Sequence, residues 1–239
     1  QTGYTTMMAE DWAAGVFNWP GCCGFTQQPT THYMRPFQNR YEQGESPAKK
    51  QMSIENCLEP HMFLYDYLEM FIKAYPDAPK FGFIWASCLA HDSFNAPFHV
   101  DGYLLDFFKR HKETFDNSFL FFMGDHGLRH GSQLYTKLGQ IEVNNPMLWI
   151  SAPKALRSNS DMMRNMRRNA GQLVTHFDTY ATFVDIVRHA PASNFTEWMR
   201  MYQEPGDRGG SLLRPLPSGD RNCRTLPIPP KYCLCEINR

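Results

Sequence analysis

Two hydrophobic periods alternate along the chain, and together they predict an α/β fold. Between residues 59 and 75, Met62, Tyr65, Leu68, Met70 and Phe71 recur every two to four positions, which predicts an amphipathic helix ending before Pro76. The run Phe81-Gly-Phe-Ile-Trp-Ala-Ser-Cys88 is short, apolar and aromatic, the pattern of a buried strand. Helical spacing returns from about Phe98 to Arg110, with Val100, Tyr103, Leu104, Phe107 and Phe108 on one side. Ser118–Met123 and Met147–Ala152 read as a second and third buried strand. Helices are expected over roughly Asp161–Val174 and Thr175–Arg188, the latter carrying Phe177, Tyr180, Ala181, Val184 and Val187. Gly3 to Trp12 reads as a short strand or turn leading into a helix. Residues 20–56 lack periodicity and are expected to form a long surface excursion, and the segment from Glu204 reads as an extended strap. Strand, helix, strand, strand, helix is the order of a mostly parallel sheet with helices on both faces.

The chain is long enough, at 239 residues, to bury a sizeable core. Lysine plus arginine equals aspartate plus glutamate, 24 of each, so the basic excess that a duplex-binding surface uses to neutralise phosphates is missing. Nucleic acid is therefore not an expected partner. No apolar run approaches the roughly 20 residues that span a bilayer, and membrane association is left open.

Seven cysteines stand at 22, 23, 57, 88, 223, 233 and 235. An odd number leaves at least one thiol, and Cys88, inside an apolar strand pattern, is the expected one. The spacing Cys233-Leu-Cys235 is not the Cys-x2-Cys of a zinc knuckle, and no histidine neighbours it, so a disulfide framework is expected instead. Cys22 or Cys23 should pair with Cys57, and the tail cysteines among themselves or back onto the remaining thiol. Such a framework places the protein in the extracellular space or the secretory-pathway lumen. Asn194-Phe-Thr196, a glycosylation acceptor triplet, points the same way.

The strongest local signal is Gly124-Asp125-His126-Gly127, directly after an apolar strand, where open α/β sheets place their sites. Asp125 and His126 offer one oxygen and one nitrogen to a borderline divalent ion. The same four residues also fit a turn in which Asp125 caps a helix and His126 is an ordinary loop histidine. His91-Asp92-Ser-Phe-Asn95 follows the first strand. His91 could hydrogen-bond an anionic ester or protonate its leaving oxygen, or the segment could simply cap the next helix through Asp92 or Ser93. Lys137, Glu142, Arg129 and His130 lie downstream of the Asp-His pair, and cations there could hold a phosphate or sulfate. Thr175 with Asp178 reads as a helix cap, which accounts for His176 and Asp178 without chemistry.

These motifs line up, in order, with a known pattern. Gly-Asp-His-Gly at 124–127 resembles the Ser-Asp-His-Gly signature of the alkaline-phosphatase-like superfamily, which includes the sulfatases. Phe81 to Ser87 followed by His91 is similar to the sulfatase strand leading into a substrate-contacting histidine. Asp101-Gly-Tyr-Leu-Leu-Asp-Phe-Phe resembles the helix that precedes the signature, and Lys137, Glu142, Pro146 and Pro153 resemble the pattern that follows it. Thr175-His-Phe-Asp-Thr-Tyr-Ala-Thr-Phe is similar to the Ser-His-x-Asp-x-x-Pro-Thr helix, with Ala181 at the proline position. Gly3 to Trp12 resembles the Gly-Tyr-x-Thr segment that usually ends Gly-Lys-Trp, with Asp11 at the lysine position. Gly24 to Phe37 and the Cys223 to Cys235 tail resemble the DUF229 family, large sulfatase-like proteins of animals.

The resemblance implies an alkaline-phosphatase-like fold, with residues 1–203 forming the C-terminal part of the α/β domain and 204–239 a cysteine-containing tail packed on it. It implies that the nucleophile and one or two metal-binding aspartates precede the Gly-Tyr-x-Thr segment, so the chain reads as a fragment truncated at its N-terminus. Asp125 and His126 would hold a divalent metal ion, zinc or calcium. His91 and Lys137 would serve catalysis. The substrate would be a small anionic ester or a sulfated or phosphorylated glycan. The alternative is a catalytically inactive, extracellular binding protein that kept the fold, which the loss of the Gly-Lys-Trp lysine favours.

Overall fold

The structure is a computed structural model describing residues 3–21, 24–43, 47–51, 58–91, 93–203 and 208–234. Two compact units divide the chain, one ending at Phe107 and the other beginning at Phe108.

The first unit is built on β1 (Thr5–Glu10), which pairs in parallel with β2 (His32–Tyr33) on one side and β3 (Lys80–Trp85) on the other. The register sets Met8 opposite both Tyr33 and Phe83. As the central strand of three, β1 is the most protected, with Met7 and Ala9 fully buried. The segment expected to be a featureless excursion holds β2, α1 (Arg35–Glu42) and α2 (Pro47–Gln51). Its periodicity is masked because one of the two buried positions of α1 is the polar Gln38, which donates to the Asp11 carbonyl at 2.9 Å and to Glu42 at 2.8 Å. Helix α3 (Pro60–Ala74) begins with proline in its first turn, where no N–H is required, and ends just before Pro76 as expected. It contributes Leu64 and Phe71 to a core with Met7, Ala9 and Met34.

Strand β3 stops earlier than its apolar run suggests. Ser87 and Cys88 belong to the short helix α4 (Ser87–His91). Cys88 is accordingly exposed rather than buried in a strand, which corrects the expected reason for its remaining a thiol. It does remain one, with its Sγ 3.2 Å from the Asp11 carbonyl. After it comes α5 (Pro97–Arg110), with Val100, Leu104 and Phe107 buried as its periodicity predicts.

In the second unit, α6 (Lys112–Asp116) precedes β4 (Leu120–Met123). A 3-10 turn (Ser132–Tyr135) and α7 (Lys137–Asn144) lead to β5 (Leu148–Ser151), which runs antiparallel to β4 with Phe121 opposite Ile150. The parallel pairing expected of a mostly parallel sheet is thus confined to β1, β2 and β3. Strands β3, β4 and β5 are half-buried rather than covered on both faces, with Trp149 and Met123 exposed. Helices α8 (Ser160–Ala170) and α9 (His176–Val184) follow, and α9 passes into one π-helical turn, Asp185–His189. Asn159 caps α8 by accepting from the N–H groups of Asp161 and Met162, both at 3.1 Å.

Residues 211–214 of the strap are buried in this unit. Leu213 is fully buried with Met162, Ile186 and Trp198. Asn165 and Asn169 of α8 donate to the carbonyls of Trp198, Leu212, Leu213 and Arg214 at 2.8–3.2 Å, satisfying backbone that no strand or helix would pair. Cys223 and Cys233 form a disulfide, a pairing within the tail as expected. The pairing expected of Cys22 or Cys23 with Cys57 lies outside the described residues, as do Cys235 and Asp92. Among the described residues no helix is long and apolar enough to cross a membrane.

Candidate functional site

Asp125 and His126 stand two and three residues past the end of β4. The Gly124 N–H donates to the Met147 carbonyl at 3.0 Å, prolonging the β4–β5 pairing up to the turn itself. At its other side the turn is clamped by Gly127, whose N–H donates to the Val143 carbonyl at 3.0 Å. A Cβ on Gly127 would fall 2.3 Å from the Glu142 carbonyl oxygen, so only glycine allows this approach to the end of α7. Between the two clamps the Asp-His pair is held at the surface, half-exposed, with the carboxylate 47% and the imidazole 31% accessible.

The hydrogen bonds of the pair assign its atoms. Asp125 Oδ1 accepts from the His126 backbone N–H at 2.9 Å. His126 Nδ1 lies 2.7 Å from the Gly127 carbonyl, which can only accept, so Nδ1 carries a proton. Nε2 of His126 then faces Asp125 Oδ2 at 3.1 Å. An imidazole lone pair and a carboxylate oxygen repel at that distance unless a proton or a cation lies against both. Anchoring of Nδ1–H on a carbonyl is also how metal-binding histidines fix their tautomer. The two donors suit either a proton shared as an ion pair or a borderline divalent ion of whose ligand set they form part. Among the described residues, no group of three or more His, Cys, Asp or Glu side chains is placed to hold a metal ion.

A contact the sequence reading passed over supports the turn from behind. His176, the first residue of α9, donates from Nε2 to the Asp125 backbone carbonyl at 2.8 Å, joining positions 51 residues apart. Reading Thr175 and Asp178 as a cap was correct, since Asp178 accepts from the Thr175 N–H at 2.7 Å. The cap does not account for His176, and only the likeness of its segment to the Ser-His-x-Asp helix singled it out.

The other predicted residues fall in different places. Lys137 opens α7 and is exposed, next to Thr136, which caps the helix by accepting from the Gly139 N–H at 3.0 Å. Arg129 and His130 are exposed beyond the turn, and Glu142 serves through its backbone under Gly127. These residues share the second unit with Asp125 and His126. His91 belongs to the first unit, exposed at the end of α4.

Asp11 is the second residue whose role was missed. It is 1% exposed, and its Oδ1 accepts from the first amides of α4, Ser87 N–H at 2.7 Å and Cys88 N–H at 3.2 Å. Burial raises its pKa from 3.8 to about 6 against the opposing pull of those two amides, and Glu42 adds to the rise. Burial likewise pushes Tyr65 up to about 12, with the charge of Asp11 contributing. Where the sulfatase pattern sets an ester-gripping lysine, this chain has a carboxylate committed to its own backbone.

An Asp-His pair displayed after a strand of an α/β chain defines a class of site rather than an activity. The family model described as protein of unknown function (DUF229) matches residues 1–239. The chain belongs to the DUF229 family, as the Gly24–Phe37 and tail motifs implied. No curated protein and no solved structure matches it.

Proposed function

We propose that the full-length protein is a secreted, metal-dependent hydrolase of sulfate or phosphate esters, acting on a small anionic ester or a sulfated or phosphorylated glycan. The observation that carries this reading is the facing of His126 Nε2 and Asp125 Oδ2 at 3.1 Å, with Nδ1 anchored on a carbonyl. Asp125 and His126 would hold the ion, zinc or calcium, and the resemblance to sulfatases sets the remaining aspartates and the nucleophile before Gly3. When bound, the ion supplies Lewis-acid stabilisation of negative charge at the ester. The residues of this chain do the rest. His176 and Gly127 hold the turn that carries both donor atoms. Lys137 offers a cation to a non-bridging oxygen. The Cys223–Cys233 disulfide supports an extracellular or lumenal location.

The engagement of Asp11 with α4 favours a second reading, an extracellular binding protein of the same fold without turnover. The two are separated by assaying the purified full-length protein on aryl sulfates and aryl phosphates before and after chelation. Hydrolysis that chelator abolishes and zinc or calcium restores is the expected result. Absence of turnover in metal-loaded protein selects the second reading.

A further inference from the structure

We propose that Asn194 carries an N-linked glycan. Asn194-Phe195-Thr196 is the one Asn-x-Ser/Thr triplet in the 239 residues, and its middle residue is not proline. The fold turns the three residues in opposite directions. Phe195 points inward, packed on the core cluster around Trp198, with its ring centroid 6.3 Å from that of Trp198 and 6.4 Å from that of Phe119. Asn194 and Thr196, on either side of it, are exposed.

The backbone is fixed in this arrangement. Asn194 terminates the 3-10 turn Ala190–Ser193 in the left-handed region (φ 47°, ψ 40°), a conformation asparagine accepts more readily than other non-glycine residues. Phe195 continues left-handed at φ 58°, held there by its N–H on the Ala190 carbonyl at 2.9 Å and by the Trp198 indole N–H on its own carbonyl at 2.8 Å. The Thr196 carbonyl accepts from Asn159 at 3.1 Å. Every one of these bonds uses backbone atoms of the triplet. The Asn194 backbone N–H donates to the Pro191 carbonyl at 3.0 Å, whereas its side-chain amide makes no hydrogen bond among the described residues, so a large polar group attached there breaks none.

The disulfide supplies a second, independent observation. Cys223–Cys233 requires an oxidising compartment, and the secretory pathway is both that compartment and the one in which asparagine is glycosylated. In the transfer, the Asn194 side-chain nitrogen forms a bond to the anomeric carbon of a lipid-pyrophosphate-linked oligosaccharide. The bond from that carbon to the pyrophosphate oxygen breaks, its electrons leave with the lipid pyrophosphate, and a base of the transferase takes the amide proton. Transfer precedes folding, and the outward, unpaired amide is what lets the modified chain fold afterwards.

The test is to express the protein from its own gene in cultured animal cells and follow the peptide containing Asn194 by mass spectrometry. Treatment with a peptide N-glycosidase should release a glycan and leave aspartate at position 194. Thr196→Ala should abolish the modification and Thr196→Ser should retain it. Wild-type protein with Cys223 and Cys233 oxidised and the Asn194 peptide at its unmodified mass would overturn the proposal, as would glycosylation unaffected by Thr196→Ala. Should either variant fail to fold, the wild-type peptide decides alone.

Discussion

Asp11 lies at the end of β1 with its carboxylate against the first amides of α4, and its titration follows from that position. In the unfolded chain it titrates near 3.8, in the folded chain at about 6. Between those values the folded protein binds a proton that the unfolded chain does not, so this residue's contribution to stability is greatest at low pH and is lost as pH rises through about 6. The shift corresponds to something on the order of 3 kcal/mol across the window. Asp11→Asn keeps an acceptor for Ser87 and Cys88 and removes the charge. Urea unfolding at pH 5 and pH 7 should therefore show less loss of stability toward pH 7 in the mutant than in wild type. Comparison with wild type also isolates Asp11 from His61, which burial shifts downward and whose contribution has the opposite sign. An unchanged difference between the two pH values would contradict the assignment. None of this was legible at position 11, because the partners of the carboxylate lie 76 and 77 residues along the chain. The Asp125/His126 pair was legible, because both donors and both glycines are consecutive.

Helix α9 shows how far local signals reach. Thr175 and Asp178 stand at the spacing of a cap, and the cap forms. Asp178 does more than its spacing announces. Its buried carboxylate also accepts from the Gly210 N–H at 2.9 Å and from Arg221 at 2.7 Å, tying the tail to the start of the helix. The Arg221 side chain is itself only 7% exposed, so removing Asp178 leaves its guanidinium without a carboxylate partner. Asp178→Ala should cost about 3–5 kcal/mol, read as a fall in the denaturation midpoint. A cost of only about 1 kcal/mol, that of a lost cap alone, would show that the pair contributes little. The tail partners escaped the sequence because glycine and arginine in a proline-rich stretch carry no period. Helices α3 and α5 were legible for the opposite reason, having apolar residues at helical spacing. The antiparallel β4–β5 pair was not, since a buried apolar run looks the same in either direction.

At the scale of the whole molecule, the α/β class and family membership were readable, whereas the division at Phe107/Phe108 leaves no mark in composition. Residues 211–214 of the tail are buried in the second unit, and farther along the Cys223–Cys233 disulfide closes a loop across a sequence separation of 10. Chain entropy gives such a loop about 3 kcal/mol, so Cys223→Ser should lower the denaturation midpoint measurably, and a midpoint unmoved by the substitution would contradict a constraining role.

We propose that the Asp125/His126 turn binds a metal ion used in ester hydrolysis. The most direct test is the rate of aryl sulfate and aryl phosphate hydrolysis by full-length His126→Ala, with bound metal determined on the same samples. Reduced metal content and a rate lower by at least about a hundredfold are expected. Wild-type metal content and full activity in that variant would remove Asp125 and His126 from the chemistry.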